Sequence, residues 1–405
     1  RDLHLCDRRQ LQMCIRDRVI GYGTQKKESV VGAISSVKAD DLKQSASANL
    51  SNAIAGRISG VMTKMVSGRP GADDSKIYVR GMATMNDATP LILVDGVERS
   101  FDQIDPEDIE SFSVMKDASA TAVYGVRGAN GVILVTTKRG MKNKPVVSLN
   151  TSVAVQSPIR LPKPLDAYNF ALLKNEAIRN DGGDINSYDY SSDEDLQHYL
   201  LGDSPFTHPN NDLLDMFLKK YTPQAQVNLN VRGGTDFVKY FVSAGFLYQD
   251  GIYKQYDNTD YSTNANYKRV NLRSNLDFTV TKTTQVSVDL STSLRSRHNI
   301  GMKNRLSFDS GPESNNLFEV LMRQPANFMT LKNPDGTYGA GSMDPIGTGM
   351  RNPLQIIERG GYYHVNNDVL EGNFKLNQKL DFVTKGLSVK AVSYTHLRAH
   401  ETDSY

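Results

Sequence analysis

Apolar and polar residues alternate along most of the chain after residue 146. Such alternation is typical of β-strands that have one apolar face and one polar face. Between Gln226 and Arg232, for example, Val, Leu and Val alternate with Gln, Asn, Asn and Arg. The pattern predicts strands at 147–155, 226–232, 238–248, 269–278, 285–294 and 371–382, and at a last segment that begins at Leu387.

The connections between these strands alternate in length. Short turns are predicted at Gly233–Asp236, near Lys282–Thr284 and at Thr384–Gly386, and the other connections are much longer. Short turns on one side and long loops on the other are typical of an outer-membrane β-barrel, whose polar faces line a wet lumen. A soluble β-domain also alternates, but long loops at one end only are unusual for it. The pattern therefore favours a membrane barrel.

The segment Ser75–Gly140 has a different pattern. It contains three apolar runs with strand character, Ile77–Val79, Leu91–Val94 and Val132–Thr137. Asp95-Gly96 follows the second run directly, and this dipeptide favours a tight turn. Short helical signals lie between the runs, so we expect a small mixed α/β unit.

Three short helices are predicted from capping residues. Asp105 followed by Pro predicts a brief helix over Glu107–Ile109. Asp117 is placed to cap a second helix. The spacing of apolar residues predicts an amphipathic helix over Leu50–Ile58, with Asn49 as its cap.

Several of these stretches carry a resemblance to a known family. They read VIGYGTQKKESVVGAIS from Val19, PLILVDGV from Pro90, and DIESFSVMKDASATAVYGVRGANGVILVTTKRG from Asp108. The region 19–140 resembles the plug domain of SusC/RagA-type TonB-dependent outer-membrane transporters. The resemblance implies an α+β plug domain followed by an incomplete antiparallel transmembrane β-barrel, because barrels with a plugged lumen in this class have about 22 strands. Roughly seven strands cannot close, and an open edge is not tolerated in lipid.

The resemblance and the strand pattern together divide the chain into four parts. Residues 19–142 are predicted to form the plug, and 143–392 to form the N-terminal barrel strands with long extracellular loops. Residues 1–18 contain no apolar core or cleavage site of a signal peptide. They and residues 393–405 resemble translated sequencing-adapter read-through, and the other interpretation is two disordered tails. We therefore expect both ends to be non-native.

The resemblance also implies sites and partners. Val19 and Ile20 lie where the TonB box of the family ends, a segment that pairs with TonB as an added strand. The plug motifs Arg80-Gly81 and Asp95-Gly96 are candidate contacts between plug and barrel, and Arg80 is expected to pair with an acidic residue of the barrel. No residue of the chain is assigned to substrate binding.

The function implied by the resemblance is import and not catalysis. A large nutrient, an oligosaccharide or a peptide, would bind at the outer face of the Gram-negative outer membrane, and a SusD-like surface lipoprotein would cap it. A siderophore or cobalamin receptor is an alternative with the same architecture. A soluble β-rich adhesin or hydrolase is an alternative from another class.

Composition narrows these classes. The chain has 405 residues and a net charge of +2, without the basic stripe typical of nucleic-acid binders. Its mean hydropathy is −0.44, and no apolar run approaches the roughly 18 residues that a membrane-spanning helix needs. Tryptophan is absent, so the aromatic girdles of a barrel would consist of the 19 Tyr and 14 Phe.

The sequence contains no convincing cofactor, metal or catalytic motif. Gly125, Gly128 and Gly131 precede a strand, whereas a nucleotide-binding loop follows one, so we expect them to serve turn geometry. The acidic stretch 181–195 lacks the frame of a calcium loop, and Cys6 and Cys14 fit no zinc template. The histidines are scattered, at His198, His208, His298 and His364.

Overall fold

The structure is a computed structural model that describes residues 17–20, 23–26, 34–38, 47–65, 67–82, 88–102, 104–117, 121–256, 261–301, 317–339 and 352–404. A small α/β unit is followed by a sheet of long antiparallel strands. We call the first the plug and the second the wall.

The plug contains short strands, as its three apolar runs predict. Their bounds are β1 Asp17–Ile20, β2 Gly23–Lys26, β3 Ile34–Lys38, β4 Val61–Met65, β5 Ser75–Val79, β6 Leu91–Val94, β7 Val97–Glu98, β8 Ile109–Met115 and β9 Val132–Thr137. Strands β3, β8, β9, β6 and β7 form one sheet in that order, and β1-β2 and β4-β5 form separate hairpins. The core of the plug is a cluster of buried residues that includes Leu50, Ile54, Phe101, Phe112 and Ile133.

The predicted amphipathic helix is shorter than its pattern. The α-helix α1 covers only Leu50–Ala53, capped by the side chain of Asn49, which accepts a hydrogen bond from Ser51 N at 3.1 Å. Beyond it, backbone bonds span three residues, as from Arg57 N to Ile54 O. Gly56 then takes a positive φ of 69°, which a continuing helix does not allow. Burial of the apolar side chains is nevertheless retained.

The other two predicted helices are 3-10 turns. Pro106–Asp108 forms one, and Asp105 caps it as expected, through a bond from Glu107 N at 2.9 Å. The second covers Ala122–Gly128 and begins after Thr121, without a side-chain cap. Asp117 was expected to cap a helix over Ala118–Tyr124, but part of that segment lies outside the described residues.

The wall consists of seven long strands. They are β10 Asn143–Gln156, β11 Thr222–Gly234, β12 Val238–Asp250, β13 Asn266–Thr279, β14 Thr284–Ile300, β15 Tyr362–Lys379 and β16 Ser388–Ser404. Each pairs antiparallel with the next, in sequence order, and within the described residues the first and last strands do not pair with each other. The fold is therefore a plug followed by an incomplete antiparallel barrel, as predicted.

The wall has a polar inner face and an apolar outer face. On β11, Asn228 and Asn230 are each 7% exposed, whereas Val227 and Leu229 are 38% and 42% exposed. The polar residues are covered by the plug, and the apolar ones face outward. This is the inverse of a water-soluble β-sandwich, whose apolar faces are buried, and it is the arrangement of a membrane barrel.

The long connections fold at one end of the wall. Between β10 and β11 lie helices α2 Ala167–Asn180, α3 Asp193–Leu201 and α4 Leu213–Phe217, and between β14 and β15 lie α5 Leu317–Arg323 and α6 Pro353–Arg359. An apolar cluster that includes Phe217, Tyr253, Leu321 and Ile357 joins them. The connections at the other end are short, so the predicted alternation of loop lengths is confirmed.

The last strand of the wall extends further than the sequence pattern predicts. Strand β16 continues to Ser404, beyond residue 392, and the expected end of the native part near 392 stays a prediction. Ladder hydrogen bonds come from the backbone, so strand pairing can extend through residues of any side-chain type.

Among the described residues, no helix combines the length and the apolar character needed to cross a membrane.

Candidate functional site at the interface of plug and wall

The turn between β6 and β7 carries a buried carboxylate. Asp95 and Gly96 have positive φ values of 53° and 87°, which is type I′ geometry. The Asp95 carboxylate accepts hydrogen bonds from Thr137 N at 3.0 Å and Thr137 Oγ1 at 2.7 Å. Burial opposes its ionisation, but Arg273 and the bonds from Thr137 hold the pKa of Asp95 below its ordinary value. The turn therefore presents a fixed negative charge.

Charged side chains cross from the wall to the plug beside this turn. Lys375 Nζ on β15 donates to the backbone oxygen of Asp95 at 2.9 Å. Arg99 of the plug pairs with Glu371 on β15, and the two side chains are only 6% and 15% exposed. Ser291 Oγ donates to the same glutamate at 3.0 Å. Because the pair is largely buried, salt screens it weakly.

Arg139, which follows β9, makes a second crossing. Its NH1 lies 3.0 Å from Asp277 Oδ1 on β13, and its NH2 lies 2.8 Å from Asp289 Oδ2 on β14. The planar fork of a guanidinium suits two separate acceptors of this kind. The Asp289 side chain is 4% exposed and also lies 3.4 Å from Lys375 Nζ. One plug residue is thus bound to two neighbouring wall strands.

The 3-10 turn Pro106–Asp108 makes a third crossing. The Asp105 carboxylate accepts hydrogen bonds from Gln226 Nε2 at 2.9 Å and Asn228 Nδ2 at 3.2 Å on β11. Asp108 lies 3.4 Å from Arg273 Nε on β13, and both side chains are 6% exposed. Burial raises the pKa of Asp105 and of Asp108, with Arg269 and Arg273 opposing.

The interface formed by these crossings is polar. The main apolar core of the plug contains plug residues only, from Val37 to Val135, and the apolar cluster of the loops is separate from it. One small cluster joins Ala48 of the plug to Leu247 and Tyr267 of the wall. Since water can replace polar partners but cannot replace an apolar core, the plug can leave the wall at lower cost than its own core can open.

Arg80 was predicted to pair with an acidic residue of the barrel, but the structure shows its partner within the plug. The Arg80 guanidinium binds Asp117 within the plug, and its side chain is 58% exposed. The physical reason is that a nearer carboxylate of the same domain satisfies it. Within the described residues, nothing lies within 4 Å of the position of a Cβ on Gly81. Of the two predicted motifs, Asp95-Gly96 is the one placed at the wall.

Val19 and Ile20 lie in the hairpin of β1 and β2, opposite Thr24 and Gly23. Their assignment as the remainder of a TonB box stays a prediction. Residues 1–16, which include most of the expected non-native leader, lie outside the described residues.

Sequence reasoning missed the residues that make the crossings. Asp277, Asp289 and Glu371 belong to the polar face that alternation identified, so their direction was predicted. Their partners Arg99 and Arg139 were not predicted, because no periodicity in the sequence relates a plug residue to a position along a wall strand. The charge of the three wall residues was a usable signal, because buried charges on the polar face of the wall need oppositely charged partners in the domain that covers this face.

The scattered histidines meet in pairs. His298 Nδ1 and His364 Nε2 lie 3.2 Å apart across β14 and β15, and the rings of His198 and His208 stack at 4.8 Å. In the acidic stretch, Asp195 binds His208 at 2.9 Å. The described part of the chain contains no cluster of three or more side chains suited to a metal ion.

Known proteins resemble this chain in sequence and in fold. Residues 26–132 match the family model of the TonB-dependent Receptor Plug Domain. Over 373 residues the chain is 32% identical to TonB-dependent receptor P26 of Formosa agariphila, covering 90% of the chain and 33% of that relative. It is 30% identical over 254 residues to TonB-dependent receptor SusC of Bacteroides thetaiotaomicron, covering 58% of the chain and 22% of SusC.

The chain belongs to the TonB-dependent receptors of the SusC/RagA type. Its fold is similar to that of the RagAB peptide importer in the open-open state, with a TM-score of 0.72 and 22% identity over 96% of this chain and 43% of that one. This SusC/RagA-type chain spans a third or less of the length of the two curated relatives. Like them, it is a protein of the outer membrane, and these relatives are receptors, not enzymes.

Proposed function

We propose that this SusC/RagA-type protein imports a large nutrient across the outer membrane, using energy delivered through TonB. The observation that carries the proposal is that polar and charged side chains, and few apolar ones, hold the plug against the wall. Arg99–Glu371 and Arg139–Asp289 join two surfaces that are both hydrophilic. A stopper held in this way seals the lumen at rest, and a pull can displace it without exposing its apolar core.

The pull would act on the N-terminal segment. Val19 and Ile20 are the remainder of the TonB box in this proposal, and TonB adds to them as a neighbouring strand. Force applied there reaches the plug before the wall, because the segment precedes β3 in the chain. Substrate release is then a conformational event, and no bond of the nutrient is broken.

The partner at the outer face would be a SusD-like lipoprotein. The long connections supply its contact surface, where α3 ends with Leu200 and Leu201 that are 65% and 71% exposed. Exposed apolar side chains outside the lipid-facing wall are typical of protein interaction sites. The nutrient is an oligosaccharide in this proposal, with a peptide as the alternative that the RagAB relative illustrates.

Deletion of the gene in its host tests the proposal. Growth is measured on oligosaccharides, on peptides, on the corresponding monomers, and under iron or cobalamin limitation. We expect lost growth on one large nutrient, with normal growth on its monomers, and loss of the same uptake when the proton-motive force is dissipated. Normal growth on every large nutrient would contradict import, and a defect confined to iron or cobalamin limitation would identify the alternative cargo class.

A further inference from the structure

Two histidines face each other at the end of the wall where the long connections fold. His298 on β14 lies directly opposite His364 on β15 in the strand register. His298 Nδ1 and His364 Nε2 are 3.2 Å apart, and the centres of the two rings are 4.6 Å apart. His298 is only 6% exposed. The proposed import function makes no use of these two residues, which we call the histidine pair.

A short segment of chain covers the histidine pair. It consists of residues 261–265, which end the connection between β12 and β13, and we call it the strap. Tyr261 Oη donates a hydrogen bond to Ile357 O at 2.9 Å and accepts one from Gly361 N at 3.0 Å. The Tyr261 ring also lies against that of Tyr362, with the ring centres 5.7 Å apart. The strap therefore ties the connection between β12 and β13 to the connection between β14 and β15.

The hydrogen bonds of the histidine pair limit the number of protons it can hold. Ser262 O of the strap lies 2.8 Å from His298 Nε2, and a carbonyl oxygen only accepts, so this nitrogen carries a hydrogen. His298 Nδ1 then faces His364 Nε2, and two hydrogens cannot both lie between nitrogens that are 3.2 Å apart. One of the two nitrogens stays unprotonated. The closed arrangement therefore accommodates one positive charge at most.

Acid supplies a second positive charge. A free imidazole takes up a proton as the pH falls from about 8 to about 5, so both histidines can be charged when the strap is open. Because the closed form binds fewer protons than the open form, a fall in pH shifts the equilibrium toward the open form. Two charged rings with centres 4.6 Å apart would also repel each other.

The groups that surround His298 add no negative charge to the pair. Asn266, which is neutral, lies opposite His298 on β13. The centre of the Tyr362 ring is 5.2 Å from that of the His298 ring. On α6, Glu358 precedes the end of the helix, but Lys332 pairs with it at 3.2 Å.

Two further charged groups lie beside the strap and the second histidine. Arg359 on α6 interacts electrostatically with Tyr261, and a cation there gives no support to a charged histidine. Asp403 lies opposite His364 on β16, in the segment that is expected to be non-native. A carboxylate in that place favours the first charge on His364. It leaves the limit of one charge unchanged, because the limit comes from the contact between the two ring nitrogens.

We propose that the histidine pair is a proton-operated switch, which keeps the strap closed near neutral pH and releases it in acid. Release breaks the contacts of Tyr261 and Ser262, so the connection between β12 and β13 separates from the connection between β14 and β15. The strap leads directly into β13, where Tyr267 packs against Ala48 of the plug. The wall therefore loosens next to one of its few apolar contacts with the plug.

Hydrogen exchange in the intact full-length transporter tests the switch at about pH 7.5 and about pH 5, which bracket the titration of imidazole. Exchange is expressed as protection factors, which remove the intrinsic effect of pH on amide exchange. The reporters are peptides that contain the strap and the Gly361 amide. The variant is His364→Gln, because a glutamine amide can donate to or accept from His298 Nδ1 and takes up no proton. The matched control is His208→Gln, at a histidine of the other stacked pair.

We expect wild-type protection at the strap to be at least about tenfold lower at the acidic pH, because two like charges at this separation repel strongly. His208→Gln should respond in the same way. His364→Gln should retain its protection at both pH values. An equal loss in wild type and His364→Gln would overturn the inference, and so would wild-type protection that does not change with pH.

A second variant covers the case in which His364→Gln does not fold. His298→Gln also leaves a single imidazole, so it should keep its protection in acid, and an acid response equal to that of wild type would overturn the inference. If neither variant folds, the wild type decides. Lost protection confined to the strap and Gly361 supports the switch, whereas loss spread evenly over the long connections overturns it. These measurements use neither a nutrient nor TonB, so their outcome is independent of the import proposal.

Discussion

Asp289 Oδ2 on the wall accepts from Arg139 NH2 of the plug at 2.8 Å and lies 3.4 Å from Lys375 Nζ on the neighbouring strand. One carboxylate, 4% exposed, thus balances a cation of the plug and a cation of the wall. Lys375 in turn donates to the Asp95 turn. These residues form a continuous polar connection from the tip of the plug sheet across β14 and β15.

Asp289→Asn should loosen the plug. The substitution leaves Arg139 and Lys375 without their shared charge, and removing one partner of a buried ion pair typically costs about 3–5 kcal/mol. We expect faster hydrogen exchange at plug amides and greater sensitivity of cells to a large antibiotic that the outer membrane normally excludes. Asp368→Asn, at an exposed position of β15, is the control. Equal effects of both substitutions would contradict a plug-holding role.

A covalent link between plug and wall should block import. Asn275 Nδ2 on β13 donates to Thr137 Oγ1 of the plug at 2.9 Å, and the chain has no cysteine apart from Cys6 and Cys14. In a Thr137→Cys and Asn275→Cys double variant, a short, reductively cleavable thiol crosslinker should abolish uptake while the protein still binds its ligand. Reductive cleavage of the crosslinker should restore uptake. Each single variant serves as a control. Normal uptake by the crosslinked protein would show that the plug does not separate from β13.

The sequence predicts the wall better than the interface, for a physical reason. Alternation between Gln226 and Arg232 depends only on which face meets lipid, so strands and their polar side follow from the local pattern. Asp95-Gly96 likewise specifies its own turn. Arg80 shows the limit, because its partner Asp117 is set by how separate plug segments pack. The helix predicted over Leu50–Ile58 shows a second limit of the sequence pattern. Its apolar side chains are buried as predicted, but the positive φ of Gly56 interrupts the helical backbone.

Gly96→Ala should destabilise the plug. Gly96 has a φ of 87°, and a residue with a Cβ pays roughly 1–2 kcal/mol for left-handed backbone. Open space surrounds the position of a Cβ at Gly96, so the effect is conformational and not steric. Plug amides should exchange faster. Gly68→Ala is the matched control, since Gly68 has open space and no positive φ. An unchanged exchange rate in Gly96→Ala would show that the turn tolerates substitution.

The stability of the plug should fall as pH rises through the range of Asp73. Burial raises the pKa of this carboxyl from 3.8 to about 6, with Arg269 among the opposing influences. Between these values the folded state binds more protons than the unfolded state, so the contribution of Asp73 favours folding at low pH and is lost above pH 6. Asp73→Asn should reduce the difference in urea stability between pH 4.5 and 7. An identical difference in both proteins would exclude this carboxyl as the cause.

Proline at Val19 and Ile20 should uncouple uptake from TonB. Strand addition needs backbone N–H donors, which proline lacks, whereas threonine at both positions keeps them. We expect the double proline variant to bind ligand and fail in uptake, and the double threonine variant to transport. Because Val19 pairs with Thr24, proline also disturbs the β1-β2 hairpin. Thr24→Pro disturbs the same hairpin from its other strand, so uptake lost in that variant as well would attribute the defect to the hairpin and not to strand addition by TonB.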